Sequence, residues 1–258
     1  MSRLPLIIAH RGASTHAPEN TLAAFQMAID VGSDGIEFDV RLSADGVPVV
    51  IHDATLKRTA SLHERVDEMT ADELAEIDVG SWFNERYPSR VKEQFAGQGV
   101  STLAQVLDLL SGFPGIVYIE LKTEKGNFGE IARAVCNTIG GSSMLPQIII
   151  KSFDLAALRE VLRYLVDVRT SALFSPKALT LFRPRIRMLD LAREFGADEI
   201  SIHYSLVTSR LARNAAEAGI PMAIWPVDDP KWLARCEKLG IRSLITNDPA
   251  LMLAKRRQ

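Results

Sequence analysis

Three observations predict an α/β fold of the (β/α)8 type, a TIM barrel. Short apolar runs alternate with amphipathic segments of ten to fifteen residues. Several of those runs are apolar at nearly every position, as parallel strands covered on both faces should be. Counted along the 258 residues, the strand-then-helix unit occurs eight times. Eight such units close most naturally into a barrel, and barrels of this kind occupy about 250 residues. An open doubly wound sheet is the runner-up, because a count of elements does not prove closure.

The strands are expected at Leu6–Ala9, Gly35–Val40, Ile116–Leu121, Gln147–Lys151, Val168–Leu173, Glu199–Ile202, Pro221–Trp225 and Arg242–Thr246. Helices are expected between them at Thr21–Val31, Leu103–Leu110, Gly129–Ile139, Leu155–Tyr164, Arg187–Phe195, Ser209–Ala218, Pro230–Leu239 and Pro249–Lys255. Asn20-Thr21, Asp154 and Ser209 stand where N-caps should, since a short polar side chain there accepts from a free backbone N–H. Gly196, Gly219 and Gly240 each follow a helix, where a left-handed residue ends it most easily.

Two segments break the rhythm. Ser43–Gly46 is a turn signal followed by the apolar run Val47–Ile51, which predicts an extra strand hairpinned onto the second barrel strand. The stretch from Asp53 to Ser101 is too long for an ordinary connection. It predicts a small insertion on one rim of a single domain spanning 1–258, helical at Asp67–Ile77 and irregular at 86–99.

Composition excludes several classes. With 30 Lys and Arg against 32 Asp and Glu, the net charge of -2 argues against a nucleic-acid binder. Two cysteines, Cys136 and Cys236, exclude a disulfide scaffold and fit reduced thiols in a cytoplasmic protein. Leu4–Ala9 is too short for a signal segment, and no apolar run approaches the ~18 residues of a membrane span. Lys255-Arg256-Arg257 is expected to cap the last helix, where positive charge suits the dipole.

In such barrels the chemistry lies at the C-terminal ends of the strands. His10-Arg11-Gly12 ends the first, Glu37 and Asp39 lie on the second, and His52-Asp53 ends the hairpin strand. Glu120-Leu121-Lys122 ends the third strand, Lys151 the fourth and His203 the sixth. Residues two apart on a strand face the same way, so Glu37 and Asp39 point together and repel unless a cation sits between them. With Glu120 they make three carboxylates and no thiolate, a set suited to Mg2+, Ca2+ or Mn2+. The alternative is buried ion pairing with Arg11, Lys122 and Lys151. His10 and His52 share this rim and suit a general base and a general acid. Arg11 offers a fork for two phosphate oxygens, and Lys122 a second charge. With a divalent metal this tally leaves about one positive charge, which complements one phosphate or one carboxylate. His203 has a weaker case as a substrate contact, and His63 is expected to be solvated. Trp225, Phe153 and Trp82-Phe83 either meet a substrate or pack the rim.

With these residues placed, the chain resembles the glycerophosphodiester phosphodiesterase family. The resemblance is carried by His10-Arg11-Gly12, Pro18-Glu19-Asn20-Thr21, Gly35–Val40, Asp45-Gly46, His52-Asp53, Leu56 and Arg58-Thr59. Gly80–Phe83, Ser101–Leu103, Ile119–Lys122, Ser152–Asp154 and Thr246–Pro249 extend it over most of the chain. It implies a barrel with an insertion after the second strand, metal binding by Glu37, Asp39 and Glu120, acid/base roles for His10 and His52, and Arg11 and Lys122 near the phosphate. It implies hydrolysis of glycerophosphodiesters to glycerol 3-phosphate and an alcohol, hence a role in lipid or glycerol metabolism. A lysophospholipase D-type reaction and a metal-assisted barrel lyase or aldolase stay open. So do a cyclic-phosphate route and direct attack by water. The sequence departs from the family pattern at Ala60–Glu64, at Gln98–Val100, at Pro226 for threonine, at Asp228 for asparagine, and at Asn247-Asp248, where aspartate more often comes first.

Overall fold

The computed structural model describes residues 4–124, 126–176 and 188–257. Eight parallel strands close into a barrel: β1 (Leu6–His10), β2 (Gly35–Leu42), β4 (Ile116–Leu121), β5 (Ile148–Ser152), β6 (Arg169–Phe174), β7 (Glu199–His203), β8 (Met222–Trp225) and β9 (Ser243–Thr246). β1 pairs with β2 on one side and with β9 on the other, which completes the ring. β3 (Pro48–Val50) is the expected hairpin strand, antiparallel to the end of β2.

Alternation along each strand divides the residues between two cores. Ile7, Ala9, Ile36, Phe38, Val117 and Ile119 face outward into the helix layer and are fully buried. Ile8, Tyr118, Ile149, Ala223 and Ile245 face inward and fill the lower barrel. Glu199 is buried among them and accepts from Tyr118 and Ser171. The inward positions at the strand ends, among them Glu37, Asp39, Glu120 and Lys151, converge on one mouth.

The outer layer comprises α1 (Leu22–Asp30), α5 (Leu103–Leu109), α6 (Phe128–Ile139), α7 (Leu155–Tyr164), α8 (Met188–Glu194), α9 (Ser209–Glu217), α10 (Trp232–Leu239) and α11 (Pro249–Arg256). The expected start of α8 at Arg187 lies outside the described residues. Asp154 caps α7 as expected. Two caps differ: Thr21 alone caps α1, and Thr208 rather than Ser209 caps α9. Gly196, Gly219 and Gly240 all have positive φ. Cys136 and Cys236 are buried free thiols. Arg256 does more than balance a helix dipole: its guanidinium pairs with Asp34 and donates to the Pro5 carbonyl at 3.2 Å, tying α11 to the entries of β1 and β2. Among the described residues, no helix is long and apolar enough to cross a membrane.

The insertion is less regular than expected. The helix predicted at Asp67–Ile77 is broken into a 3-10 turn (Val66–Glu68) and α3 (Ala71–Ala75). Thr70 interrupts it: its side chain accepts from Glu73 N–H while Glu73 returns to the Thr70 N–H, a capping box that starts a new helix. Two further short helices, α2 (Lys57–Ala60) and α4 (Ser81–Arg86), were not expected. Leu56, Val66, Leu74 and Val79 close a small second core with Val49.

Candidate active site

Strand register builds the site. His10 on β1 is level with Glu37 on β2; Asp39 on β2 is level with Glu120 on β4, and Glu120 with Lys151 on β5. All face the barrel mouth. Glu37, Asp39 and Glu120 each offer an oxygen within 4.8 Å of the others, and all three are buried. Among the described residues this is the only such group of acidic, histidine or cysteine side chains.

The turn after β1 is shaped by backbone conformation. Arg11 adopts φ 57° and Gly12 φ 82°. A Cβ at Gly12 would lie 2.6 Å from the Ala24 backbone, so the glycine lets the turn settle against α1. Arg11 thereby donates its backbone N–H to the Glu37 carbonyl at 2.7 Å. Its side chain lies 3.0 Å from Asp39 and donates to Glu19 at 2.7 Å. Asn20 also takes a left-handed conformation, φ 58°, and donates to Asp39 Oδ2 at 2.9 Å.

Two lysines enter the acidic cluster. Lys151 Nζ lies 2.8 Å from Glu37 Oε1 and 4.0 Å from Glu120. Lys122 Nζ lies 3.0 Å from Asp39 Oδ1 and contacts Glu120 more closely still. Burial raises the cost of charge on Glu37 and Asp39. Lys151 and His10 nevertheless hold Glu37 below the usual carboxylate range, and Lys122 with Arg11 holds Asp39 well below it. Glu120 goes the other way: burial pushes it up, Lys122 only partly offsets that, and Asp39 adds repulsion. Glu37 Oε1 and Asp39 Oδ1 meet the ammonium groups but take no well-directed hydrogen bond. Hard, convergent oxygens with unfilled directional capacity fit a divalent cation. Ion pairing with the protein's own cations, the alternative open from the sequence, is present but incomplete.

The two histidines flank the cluster differently. His10 Nδ1 lies 2.7 Å from Asn247 Oδ1, and its Nε2 lies 3.9 Å from Glu37 Oε2. His52 follows β3, and its Nδ1 lies 2.6 Å from the Asp53 carboxylate. Arg41 donates to the His52 carbonyl at 2.8 Å and steadies that corner. Burial pushes both imidazoles below their ordinary value, against Glu37 at His10 and Asp39 at His52. Asp53 in turn receives Arg58, which also forks onto Glu19 at 2.8 and 2.9 Å. Glu19 thus joins Arg11 to Arg58 across the mouth.

Residues 10–251 match the model of the glycerophosphoryl diester phosphodiesterase family. A glycerophosphodiester phosphodiesterase of Caldanaerobacter subterraneus is 31% identical over 250 residues, covering 96% of each chain. The chain belongs to the glycerophosphoryl diester phosphodiesterase family. It is therefore a phosphodiesterase-family enzyme on a TIM barrel. The solved structure of a glycerophosphodiester phosphodiesterase from Agrobacterium tumefaciens is 28% identical, with a TM-score of 0.76 over 97% of this chain and all of that one. An Oleispira antarctica phosphodiesterase shares the fold with a TM-score of 0.88 at 23% identity, covering 99% of this chain and 98% of that one.

All seven residues singled out for chemistry lie in this mouth of the phosphodiesterase barrel. Sequence reasoning under-used Glu19 and Asn20, which it read only as family motif and helix cap. Lys151 was left as a possible ion-pair partner and stands inside the cluster. Phe83 is fully buried against Phe95 and α1, and the partly buried Trp82 packs on the same cluster and donates to Val79 O. Phe153, Trp225 and His203 do form a rim wall, with ring centroids 5.6 and 5.4 Å apart from Trp225. His63 is exposed, as expected, and His16 pairs with Asp248 at 3.1 Å.

Proposed function

We propose that this enzyme hydrolyses glycerophosphodiesters to glycerol 3-phosphate and an alcohol, with a divalent metal and histidine acid/base catalysis. The observation that carries the reading is the placement of His10 and His52 on either side of one buried three-carboxylate cluster. Glu37, Asp39 and Glu120 would hold the Mg2+, Ca2+ or Mn2+ ion. When bound, that ion would supply Lewis-acid neutralisation of charge on the phosphate oxygens.

The chain's own residues account for the rest. Arg11 is fixed by Asp39 and Glu19 beside the cluster, where its guanidinium can receive a non-bridging phosphate oxygen. Lys122 stands at the same place with a second charge, and Asp39 and Glu120 keep it protonated despite its burial. Three carboxylates face three cations here, Arg11, Lys122 and Lys151. A divalent ion would therefore leave about two positive charges, one more than the sequence tally without Lys151. That balance suits a phosphodiester whose charge grows toward two as the ester bond breaks.

His10 is assigned as the base and His52 as the acid. The carboxylate behind His52 favours its protonated form, whereas His10 is backed by a neutral amide. His10 takes a proton from the nucleophile, either water or the neighbouring glycerol hydroxyl. His52 returns one to the departing oxygen. Neither Lys122 nor Lys151 stands clear of a carboxylate, which disfavours a Schiff-base lyase or aldolase. The alcohol of the diester would extend toward Phe153 and Trp225.

A panel assay tests this proposal. Glycerophosphocholine, glycerophosphoethanolamine, glycerophosphoglycerol, glycerophosphoinositol and a lysophospholipid are each supplied, and products are identified. Glycerol 3-phosphate from at least one glycerophosphodiester is expected; turnover of the lysophospholipid alone would replace the reading with a lysophospholipase D-type reaction.

A further inference from the structure

Asp228 follows β8 and lies one residue shell behind His10. Its carboxylate accepts three hydrogen bonds from the end of β9, each 2.8 Å: from Thr246 Oγ1, from the Asn247 backbone N–H and from Asn247 Nδ2. The last of these fixes the Asn247 amide, because only its NH2 end can face a carboxylate. The end that lies 2.7 Å from His10 Nδ1 is therefore the carbonyl oxygen. Ser14 Oγ is 3.2 Å from that oxygen but 2.8 Å from the His10 carbonyl, so its single proton goes to the nearer acceptor. The amide oxygen can only accept, and Nδ1 must carry the proton.

We propose that Asp228 is a positioning residue which acts through Asn247 to hold His10 in its Nδ1–H tautomer, leaving the Nε2 lone pair aimed at the carboxylate cluster. The inference rests on the reading of His10 as base. An imidazole in the other tautomer would present an N–H to the site and could take no proton there. At His52 the Nδ1 side is held by a shorter route, with Asp53 accepting from it directly. The relay also joins two departures from the family pattern noted above. Asp228 stands where asparagine is usual and Asn247 where aspartate is, so carboxylate and amide have traded places.

Histidine-selective 15N NMR reads the tautomer without reference to turnover, with His10→Gln providing the assignment. In the wild type, neutral His10 should show a protonated Nδ1 and an unprotonated Nε2. In Asp228→Asn the Asn247 amide is free to turn over, so that pattern should mix or invert. Turnover number should fall about 10- to 100-fold with KM within about twofold. The double variant Asp228→Asn with Asn247→Asp restores a donor-to-carboxylate pair behind His10 and should recover at least about tenfold of the loss. An Nε2–H form of His10 in the wild type would overturn the inference. So would an Asp228→Asn variant with unchanged tautomer and turnover, or a double variant that melts like wild type yet recovers nothing. Near wild-type turnover in His10→Ala would overturn the base reading instead, and the NMR result separates the two failures.

Discussion

The Lys151 ammonium lies 2.8 Å from the Glu37 carboxylate inside the barrel, with the two side chains 2% and 0% exposed. A carboxylate and an ammonium buried this deeply hold each other in place. Removing one partner leaves the other charged where water cannot reach it, which typically costs 3–5 kcal/mol. Lys151→Met should therefore lose about 3–5 kcal/mol of stability in urea denaturation with EDTA present. A loss under about 1 kcal/mol would show that Glu37 is compensated from elsewhere.

A cation at Glu37, Asp39 and Glu120 should stabilise the native state by mass action. At about 100 times its dissociation constant, a divalent ion adds ~2.7 kcal/mol. Addition of Mg2+, Ca2+ or Mn2+ to stripped enzyme should raise the melting temperature, and Asp39→Asn should abolish the rise. An equal rise in that variant would place the ion elsewhere.

Both histidines should matter to rate far more than to folding. Acid/base groups typically contribute 10²–10⁴-fold, so His10→Ala and His52→Ala should each lower turnover at least ~100-fold. Circular dichroism should show the barrel intact. Either variant turning over near the wild-type rate would remove that residue from the mechanism.

Glu19 links Arg11 to Arg58, and these arginines hold it below the ordinary carboxylate range even though burial opposes its charge. A depressed folded pKa stabilises the protein fully above the unfolded value, and that stability is lost as pH falls through the folded value. Wild type should therefore exceed Glu19→Gln in stability at pH 7, and the gap should close as pH falls below about 4. A gap that stays constant between pH 7 and pH 2 would mean that the Glu19 charge contributes nothing.

The legibility of this molecule in its sequence divides along sequence distance. Runs such as Ile116–Leu121 and Leu155–Tyr164 declare themselves locally, and both elements have the expected bounds. The common orientation of Glu37 and Asp39 follows from strand alternation alone. The helix expected at Asp67–Ile77 failed because apolar spacing outweighed Thr70 and Glu73, whose capping box breaks it. At the site, the missed partners are distant in the chain: Lys151 meets Glu37 across 114 positions and Asn247 meets His10 across 237. Only closure of the barrel brings such pairs together. Glu19 and Asn20 carried a signal in their motif, but the local capping explanation for Asn20 concealed its bond to Asp39.

Substrate class and metal site meet in one reaction, glycerol 3-phosphate release that depends on a divalent ion. Enzyme stripped with EDTA is given glycerophosphocholine, glycerophosphoethanolamine, glycerophosphoglycerol and glycerophosphoinositol in turn, and glycerol 3-phosphate is followed enzymatically before and after addition of Mg2+, Ca2+ or Mn2+. Release should be negligible in EDTA and restored by at least one of the ions. Undiminished release in excess EDTA, or no release from any of the four diesters with any of the three ions, would contradict metal-dependent glycerophosphodiester hydrolysis at this site.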